Sequence, residues 1–451
     1  EPAQPLGGGS RVSEGLKHLL TALGERSSYD AVSQCSRCGY CEQACPTYVA
    51  TGRESFSPRG RNQLVRLMLE GRLDDPQSAA EALSTCLLCG ACQTVCPAHV
   101  PTPDIVLEGR RALGRPGARL VDAVQRLMRE RPALFRTLMG WGFRFKRWGL
   151  AGLAARSGLL DLLGFGVLAK MAADVEEAPR STVDELLAGR PELGPAANAA
   201  WGYFAPCGPR WLLPRVGEAT VEVLGALHGK GAALANPCCG LLSFNYGSLD
   251  EARASARAVI ERAEAAGLPA GAPVVGDCSS CVSFLKSYPQ LFLGDPAWKA
   301  RAEAFAARVK DVVELLPAAG VPKDPGVNAL VIHDACRLRH GQGCADAPRA
   351  ALKAVAGGTL KTLTKPEHCC GGAGAFAFVH GELSEELLKA KVADIADAQA
   401  RVVAAASTSC LVQLERGLNK YYSSCRVAHP TELVAESLRR RKPDGAPGND
   451  G

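Results

Sequence analysis

The sequence predicts a multidomain protein of mixed α+β and α/β class: a small, helical, cysteine-rich module followed by two repeated α/β domains. Three observations predict it. The chain has 451 residues, room for two or three domains. Its 19 Cys fall into two groups, eight from Cys35 to Cys96 and 11 from Cys207 to Cys425, with none from Pro97 to Pro206. In the second group a strand-and-cysteine pattern occurs twice, about 130 residues apart.

Composition narrows the class. Hydrophobic residues make up 47% and charged residues 22%, which excludes a disordered or fibrous chain. The net charge of +6, from 52 Lys+Arg against 46 Asp+Glu, is too mild to imply nucleic acid. Nineteen Cys are too many for an ordinary enzyme of a reducing compartment, and the chain is too long for a small disulfide scaffold. Metal ligation is the physical alternative. No segment reaches the roughly 18 to 20 uninterrupted apolar residues of a membrane helix. The best, Leu159 to Ala169, is shorter and carries Asp161. The N-terminus is Gly-rich and polar with no signal-peptide core. Glu1 is not an initiator Met, so the natural start is read as lying upstream. The expectation is a cytoplasmic, reducing environment in which thiolates stay free to bind metal.

An N-terminal extension, 1–30, precedes the module, 31–115. The module carries Cys35-x2-Cys38-x2-Cys41-x3-Cys45-Pro46, and again Cys86-x2-Cys89-x2-Cys92-x3-Cys96-Pro97. This is the run of a bacterial two-cluster ferredoxin, whose fourth Cys serves the other cluster. One [4Fe-4S] cubane is therefore assigned to Cys35, Cys38, Cys41 and Cys96, and a second to Cys86, Cys89, Cys92 and Cys45. Gly39 and Gly90 permit the tight loops. The 40-residue insert between the runs reads as helical from Gly60 to Gly71. The competing reading is structural zinc on CxxC pairs, which does not require four-Cys runs ending in Pro. His99 reads as a loop histidine.

A basic helical connector follows, 116–198. From Gly109 to Trp148 there are 11 Lys+Arg against only Asp122 and Glu130, so the rest of the chain is net acidic. Leu134, Leu138, Trp141, Phe145 and Trp148 recur at helical spacing as one apolar stripe, with Arg136, Lys146 and Arg147 off it. Leu159 to Leu168 offers a further apolar stretch. Two readings stand: a helix packed on the protein's own core, or peripheral membrane contact through 132–148, with aromatics inward and Arg facing anionic headgroups.

The two α/β domains span 199–320 and 326–436, separated by the Pro-rich Pro317 to Pro325. In each, a short apolar strand ends at a cysteine: 200–206 into Cys207, and 329–335 into Cys336. Cys238-Cys239-Gly240 and Cys369-Cys370-Gly371 come next. Helical stretches, 248–266 and 382–400, lead to strands Ala272 to Gly276 and Arg401 to Ala406, followed by Cys278 and Cys410. Cysteines at strand ends agree with sites forming at the carboxyl ends of α/β strands. The tail, 437–451, reads as disordered.

The pattern Cys207-x30-Cys238-Cys239-Gly240-x37-Cys278-x2-Cys281 resembles the cysteine-rich CCG domain of heterodisulfide reductase catalytic subunits. It also resembles the iron–sulfur subunits of glycolate oxidase, lactate utilisation complexes and anaerobic glycerol-3-phosphate dehydrogenase. In that family a ferredoxin-type module precedes two CCG domains, which covers this chain from 31 to 430. The resemblance implies a non-cubane [4Fe-4S] cluster on Cys207, Cys238, Cys239, Cys278 and Cys281; the alternative is a redox-inert set of buried thiols. The second repeat, Cys336-x32-Cys369-Cys370-Gly371-x38-Cys410, has Gln413 where the last Cys is expected. Either Cys344 completes a second cluster with Cys336, Cys369, Cys370 and Cys410, or the site is degenerate. His333, His340 and His368 flank it, as ordinary histidines or as a ligand or proton relay. Cys425 matches no motif and reads as a buried thiol.

No G-x-G-x-x-G follows a strand, no G-x-x-x-x-G-K-[ST] occurs, and no flavin domain or Ser/His/Asp constellation is present in the sequence. Gly371-Gly372-Ala373-Gly374 belongs to the CCG turn. No catalytic residue is assigned. The chain reads as an electron conduit. The resemblance implies an FAD-containing 2-hydroxyacid dehydrogenase partner as donor, for glycolate, D-lactate or a similar acid, and quinone or another respiratory carrier as acceptor. Cysteine usage and the missing signal core give the expected place as cytoplasmic, peripheral on the cytoplasmic face of the membrane if the stripe docks there. The runner-up is a heterodisulfide-reductase-like subunit that cleaves disulfides at the CCG cluster; Gln413 weakens it. A third reading is an anchoring subunit with structural clusters.

Overall fold

A computed structural model describes residues 28–114, 118–149, 179–316, 321–324, 326–358 and 360–441. Most of the expected N-terminal extension, the Leu159 to Leu168 stretch and residues 442–451 of the expected tail lie outside the described residues.

The N-terminal module is helical. Its insert forms the helix Pro58–Leu69, as its composition suggested. Pro58 sits in the first turn, where its missing N–H is no loss, and the Ser57 side chain accepts the Gly60 N–H. Val65 on this helix packs with Leu83 and with Ile105 and Val106 of the helix Thr102–Leu113. The approach is close because Gly109 has no side chain: a Cβ there would stand 2.6 Å from Leu83 Cδ1.

The first repeat builds a four-stranded sheet in the order β2-β1-β3-β4, with β1 Gly202–Phe204, β2 Ala232–Ala233, β3 Val274–Gly276 and β4 Val309–Asp311. The second builds β5-β6-β7 from Leu330–His333, Val402–Ala405 and Arg426–Ala428. Every pairing is parallel. Strands β1, β3, β5 and β6 are buried along their whole length, as strands covered by helices on both faces must be. The crossover helices are Leu249–Ala265 and Gly381–Asp397. Strands β2, β4 and β7 have two or three residues each and carry no readable period.

The repeats share one core. Apolar packing runs from Tyr203 and Val216 in the first to Val403 and Leu433 in the second. The helices Pro214–His228 and Pro430–Arg441 pack together, with Thr220 and Thr431 hydroxyls 3.2 Å apart. At the carboxyl ends of β3 and β6, the Ser279 N–H and hydroxyl both donate to the Ala406 carbonyl, at 2.8 and 2.7 Å. A second core joins Val65 and Ile105 of the module to Val259 and Phe284 of the first repeat.

The tail boundary differs from the reading. The helix Pro430–Arg441 continues through 437–441 because its face is occupied: Ser437 is buried, and Arg439 pairs with Glu222. The connector forms two helices. Ala118–Glu130 is fixed to the first repeat by Asp122, which accepts from Ser243, and by Arg129 with Glu251. Pro132–Arg147 buries no residue. Its stripe faces outward, from 42% exposed at Phe145 to 64% at Trp148, so the own-core reading fails among the described residues. Among the same residues, no helix is long and apolar enough to cross a membrane.

Candidate metal centres

The two ferredoxin runs fold alike. Gly39 and Gly90 have φ of 82° and 84°, and Arg37 and Leu88, two residues earlier in each loop, are also left-handed, at 59° and 53°. Such a backbone turns its N–H groups inward toward anions. The Leu88 N–H donates to Cys86 Sγ at 3.4 Å, and the Tyr40 N–H holds the exposed Cys38 thiol below its ordinary pKa.

The cross-over of the fourth cysteines is visible in which thiols perturb which. Burial, then Cys35, Cys96 and Cys45, push Cys41 up to about 11. Burial, then Cys89, Cys86, Cys45 and Cys41, push Cys92 up. Cys45, Cys86, Cys89 and Cys92 also line one small cavity together with Arg61. The structure therefore gathers Cys35, Cys41 and Cys96 at one site and Cys86, Cys89, Cys92 and Cys45 at the next. Arg61 was not anticipated. It is fully enclosed, donates to Thr47 and Thr85 hydroxyls at 2.9 Å and to the Ala82 carbonyl at 3.0 Å, and its Nη1 lies 3.7 Å from Cys45 Sγ. A lone Arg in a helical pattern gives no sign of this in the sequence.

In the first repeat, Cys207 opens the helix Cys207–Trp211 after β1. Cys238 and Cys239 precede Gly240, whose φ of 87° starts the helix Leu241–Asn245. Cys278 caps the helix Ser279–Lys286 after β3, and Cys281 sits one turn in. Thiols at helix starts lie in the favourable field of N-terminal amides. All five are gathered: Cys207 is in hydrogen-bonding reach of Cys238 and Cys281, and Cys281 of Cys239 and Cys278. The Cys207 thiol beside it holds Cys238 low, and Cys281 brings Cys278 down to about 5; Cys281 itself is pushed up. Tyr288 donates to the Cys239 carbonyl at 2.7 Å, fixing the CCG turn from outside.

The second repeat gathers four of its five candidates. Cys370 reaches both Cys369 and Cys410, and burial followed by Cys369 pushes Cys336 up to about 12. The Gly371 N–H donates to Cys369 Sγ at 3.4 Å. Cys344 is elsewhere, which corrects the reading that it completes this set. It lies past the far end of the helix Cys336–Gln342, where its N–H closes the helix end on the Leu338 carbonyl at 3.2 Å. Burial and the carboxylates Asp311 and Glu314 set its pKa, not the other thiols. Gln413 occupies the place of Cys281 and donates to Ser384 Oγ at 2.9 Å.

His333, at the end of β5, does join the site. A ring nitrogen of His333, Cys370 Sγ and Cys410 Sγ all lie within 4.8 Å of one another. The ring is 2% exposed, and Nδ1 has no hydrogen-bond partner. Leaving a buried nitrogen unpaired costs about 1–3 kcal/mol. Burial, with the Lys391 ammonium nearby, keeps the imidazole neutral, its pKa brought down to about 3. Lys391 is itself buried; it donates to the Lys365 carbonyl and pairs with Asp394 at 3.4 Å. His340 is turned toward the module, its Nδ1 2.9 Å from the Thr94 hydroxyl, while His368 lines a different cavity with Lys391. His99 takes a left-handed turn, and Cys425 is buried beside Arg401 and Arg426.

The sites adjoin. After burial, the groups that raise Cys89 most are Cys336 and Cys369. The two repeats open onto one cavity of about 320 Å³, with Cys207 and Cys281 on one side and Cys336 and Cys369 on the other. The donor sets fit iron–sulfur clusters. Crowded, buried thiols cannot all ionise, because each thiolate raises its neighbours; bound iron removes that repulsion.

Comparison with known proteins agrees. The 4Fe-4S dicluster domain family matches residues 31–100, and the cysteine-rich domain family matches 201–286 and 330–415. Fold and donor sets thus define an iron–sulfur protein. The chain is 28% identical over 442 residues to the probable glycolate oxidase iron-sulfur subunit of Bacillus subtilis (strain 168), covering 94% of this chain and 97% of that one. It is 28% identical over 443 residues to the glycolate oxidase iron-sulfur subunit of Escherichia coli (strain K12), covering 96% and 99%. It is 31% identical over 244 residues to lactate utilization protein A of Exiguobacterium sp. (strain ATCC BAA-1283 / AT1b), covering 52% of this chain and 97% of that one. The chain belongs to this family of CCG-domain iron–sulfur proteins.

Proposed function

We propose that this chain is the electron-transfer subunit of a flavin-dependent 2-hydroxyacid oxidoreductase complex. The full-length likeness to glycolate oxidase iron-sulfur subunits supports the complex. The observation that carries the electron-transfer role is the contiguity of the thiol sets: Cys41 beside Cys45, Cys89 beside Cys336 and Cys369, and a cavity shared by both repeats. Cys35, Cys38, Cys41 and Cys96 would hold one [4Fe-4S] cubane, and Cys86, Cys89, Cys92 and Cys45 another. Cys207, Cys238, Cys239, Cys278 and Cys281 would hold a non-cubane cluster, and Cys336, Cys369, Cys370 and Cys410 a fourth. When bound, such clusters supply one-electron carriers between a flavin, which releases electrons in pairs, and quinone or another respiratory carrier. The chain's own part is to hold the sets in contact, exclude water and donate N–H groups to sulfur. The outward stripe of the helix Pro132–Arg147 supports peripheral contact with an anionic membrane face.

The test uses the complex with its flavoprotein. In Cys238→Ser, substrate still reduces the flavin, while reduction of the carrier falls at least about tenfold, the low end for a disturbed metal site. Unchanged turnover defeats the reading. Disulfide cleavage is a second reading, favoured by the cavity between the two thiol sets. It requires the reduced protein to convert a disulfide to two thiols in a stopped assay, and no thiol release excludes it.

A further inference from the structure

We propose that a ring nitrogen of His333 is a ligand of the cluster in the second repeat, in place of the fifth cysteine, so that this site is a mixed cysteine–histidine centre. The inference rests on the reading that the second repeat carries a cluster, and names its ligation.

The two repeats can be compared position by position. The first has Phe204 three residues before its strand-end Cys207; the second has His333 three residues before Cys336. The first has Cys281 three residues after Cys278; the second has Gln413 three residues after Cys410. The second repeat thus loses a thiol at one position and gains a nitrogen donor at the other. Both replacements are buried, Gln413 at 3% and His333 at 2% exposed, so neither is a surface drift.

Their environments point to different roles. The Gln413 amide donates to Ser384 Oγ at 2.9 Å, and Ser384 donates on to the Gly371 carbonyl at 2.9 Å, a structural chain that supports the CCG turn. His333 instead lies with Cys370 and Cys410, its ligating atom within 4.8 Å of both thiols, while its Nδ1 meets no donor or acceptor. A buried imidazole that sets a ring nitrogen beside two thiols and leaves hydrogen-bonding capacity unused is the arrangement of a ligand lacking its metal. Phe204, with no polar atom, offers nothing comparable in the first repeat.

The substitution changes the charge of the site. A thiolate brings one negative charge to a cluster and a neutral imidazole none, and His-for-Cys ligation raises the potential of iron–sulfur centres. The Lys391 ammonium acts in the same direction on Cys369. The second repeat is therefore the more easily reduced of the two CCG sites.

The experiment is pulsed EPR on the anaerobically purified full chain, wild type with natural-abundance nitrogen and with 15N-histidine, at the redox state where the second-repeat signal is seen. The expected result is a nitrogen hyperfine coupling that changes with the isotope, and is lost in His333→Cys with iron content per chain unchanged and a lower midpoint potential. His333→Ala is the second variant, expected to lose iron from this site alone. A coupling absent from wild type, or retained in His333→Cys, overturns the proposal. So does stoichiometric zinc in place of iron. Signals from the other three sets that persist while the nitrogen coupling is absent sink this ligation and leave the electron-transfer reading standing; loss of every cluster signal in the wild type sinks both.

Discussion

At the residue scale, two buried side chains that are not ligands carry testable consequences, one at a site and one for stability. Arg61 holds the Thr47 and Thr85 hydroxyls and places a guanidinium at Cys45. Arg61→Met keeps the apolar stem but leaves those groups unpaired. It should destabilise the module by about 2–3 kcal/mol, read from the urea midpoint under anaerobic conditions. It should also lower the potential of the adjoining cubane, because a cation and an N–H donor leave the sulfur together. His429 is fully buried, accepts the Thr431 N–H at Nδ1, and is kept neutral by burial, its pKa brought down to about 3. Its folded pKa lies below its unfolded value near 6.5. The unfolded chain therefore binds the extra proton, and this contribution is complete above about 6.5 and lost as pH falls. Between pH 6.5 and 5.5 it removes about 1 kcal/mol from stability. Comparing urea midpoints at the two pH values for wild type and His429→Gln checks it: the variant should show the shallower loss. Residue roles were unevenly legible. Cysteines announce themselves by spacing. His333 was visible only as a neighbour of the motif, and Arg61 was not visible, because what sets either apart is which atoms surround it after folding.

At the scale of elements, the long crossover helices could be read from several periods of their pattern, and the strands that end in cysteine from an apolar run leading into a motif cysteine. Strands β2, β4 and β7 could not, because two or three residues contain no period and no motif cysteine follows to mark them. The helix Pro132–Arg147 shows the limit from the other side. Periodicity identifies the residues that share its face but not what that face meets. The structure turns Leu138, Trp141 and Trp148 outward, each more than half exposed. Apolar residues flanked by Arg144, Lys146 and Arg147 suit an anionic lipid surface. Flotation with anionic liposomes should carry the wild type upward and leave a variant with Trp141, Phe145 and Trp148 replaced by Ser at the bottom. High salt should weaken the wild type's binding. Equal flotation of both proteins excludes this face as the contact.

At the scale of the whole molecule, the thiol sets are ordered in space as they are not in sequence. Cys89 belongs to the N-terminal module yet is perturbed by Cys336 and Cys369, some 250 residues away in the chain. Spacing within a motif reports the shape of one site; it carries no information on which site lies beside which. That adjacency predicts a magnetic interaction. In the reduced protein, Cys336→Ser or Cys369→Ser should alter the splitting of the signal from the Cys86 set, and Cys207→Ser should leave it unchanged. An identical response to all three would mean that the module does not adjoin the second repeat.

The pair of hydrogen bonds from Ser279 to the Ala406 carbonyl has an evolutionary consequence. The same family model matches both repeats, which points to duplication of an ancestral unit, and the first repeat now caps a strand end of the second. A single unit standing alone would leave the Ala406 carbonyl without these two donors, and two identical units pairing in its place would be bound to the same ligation chemistry. Fusion released the halves from that identity. One copy could trade a thiol for an imidazole while its twin kept the old set, a divergence that a symmetric pair encoded by one gene cannot make.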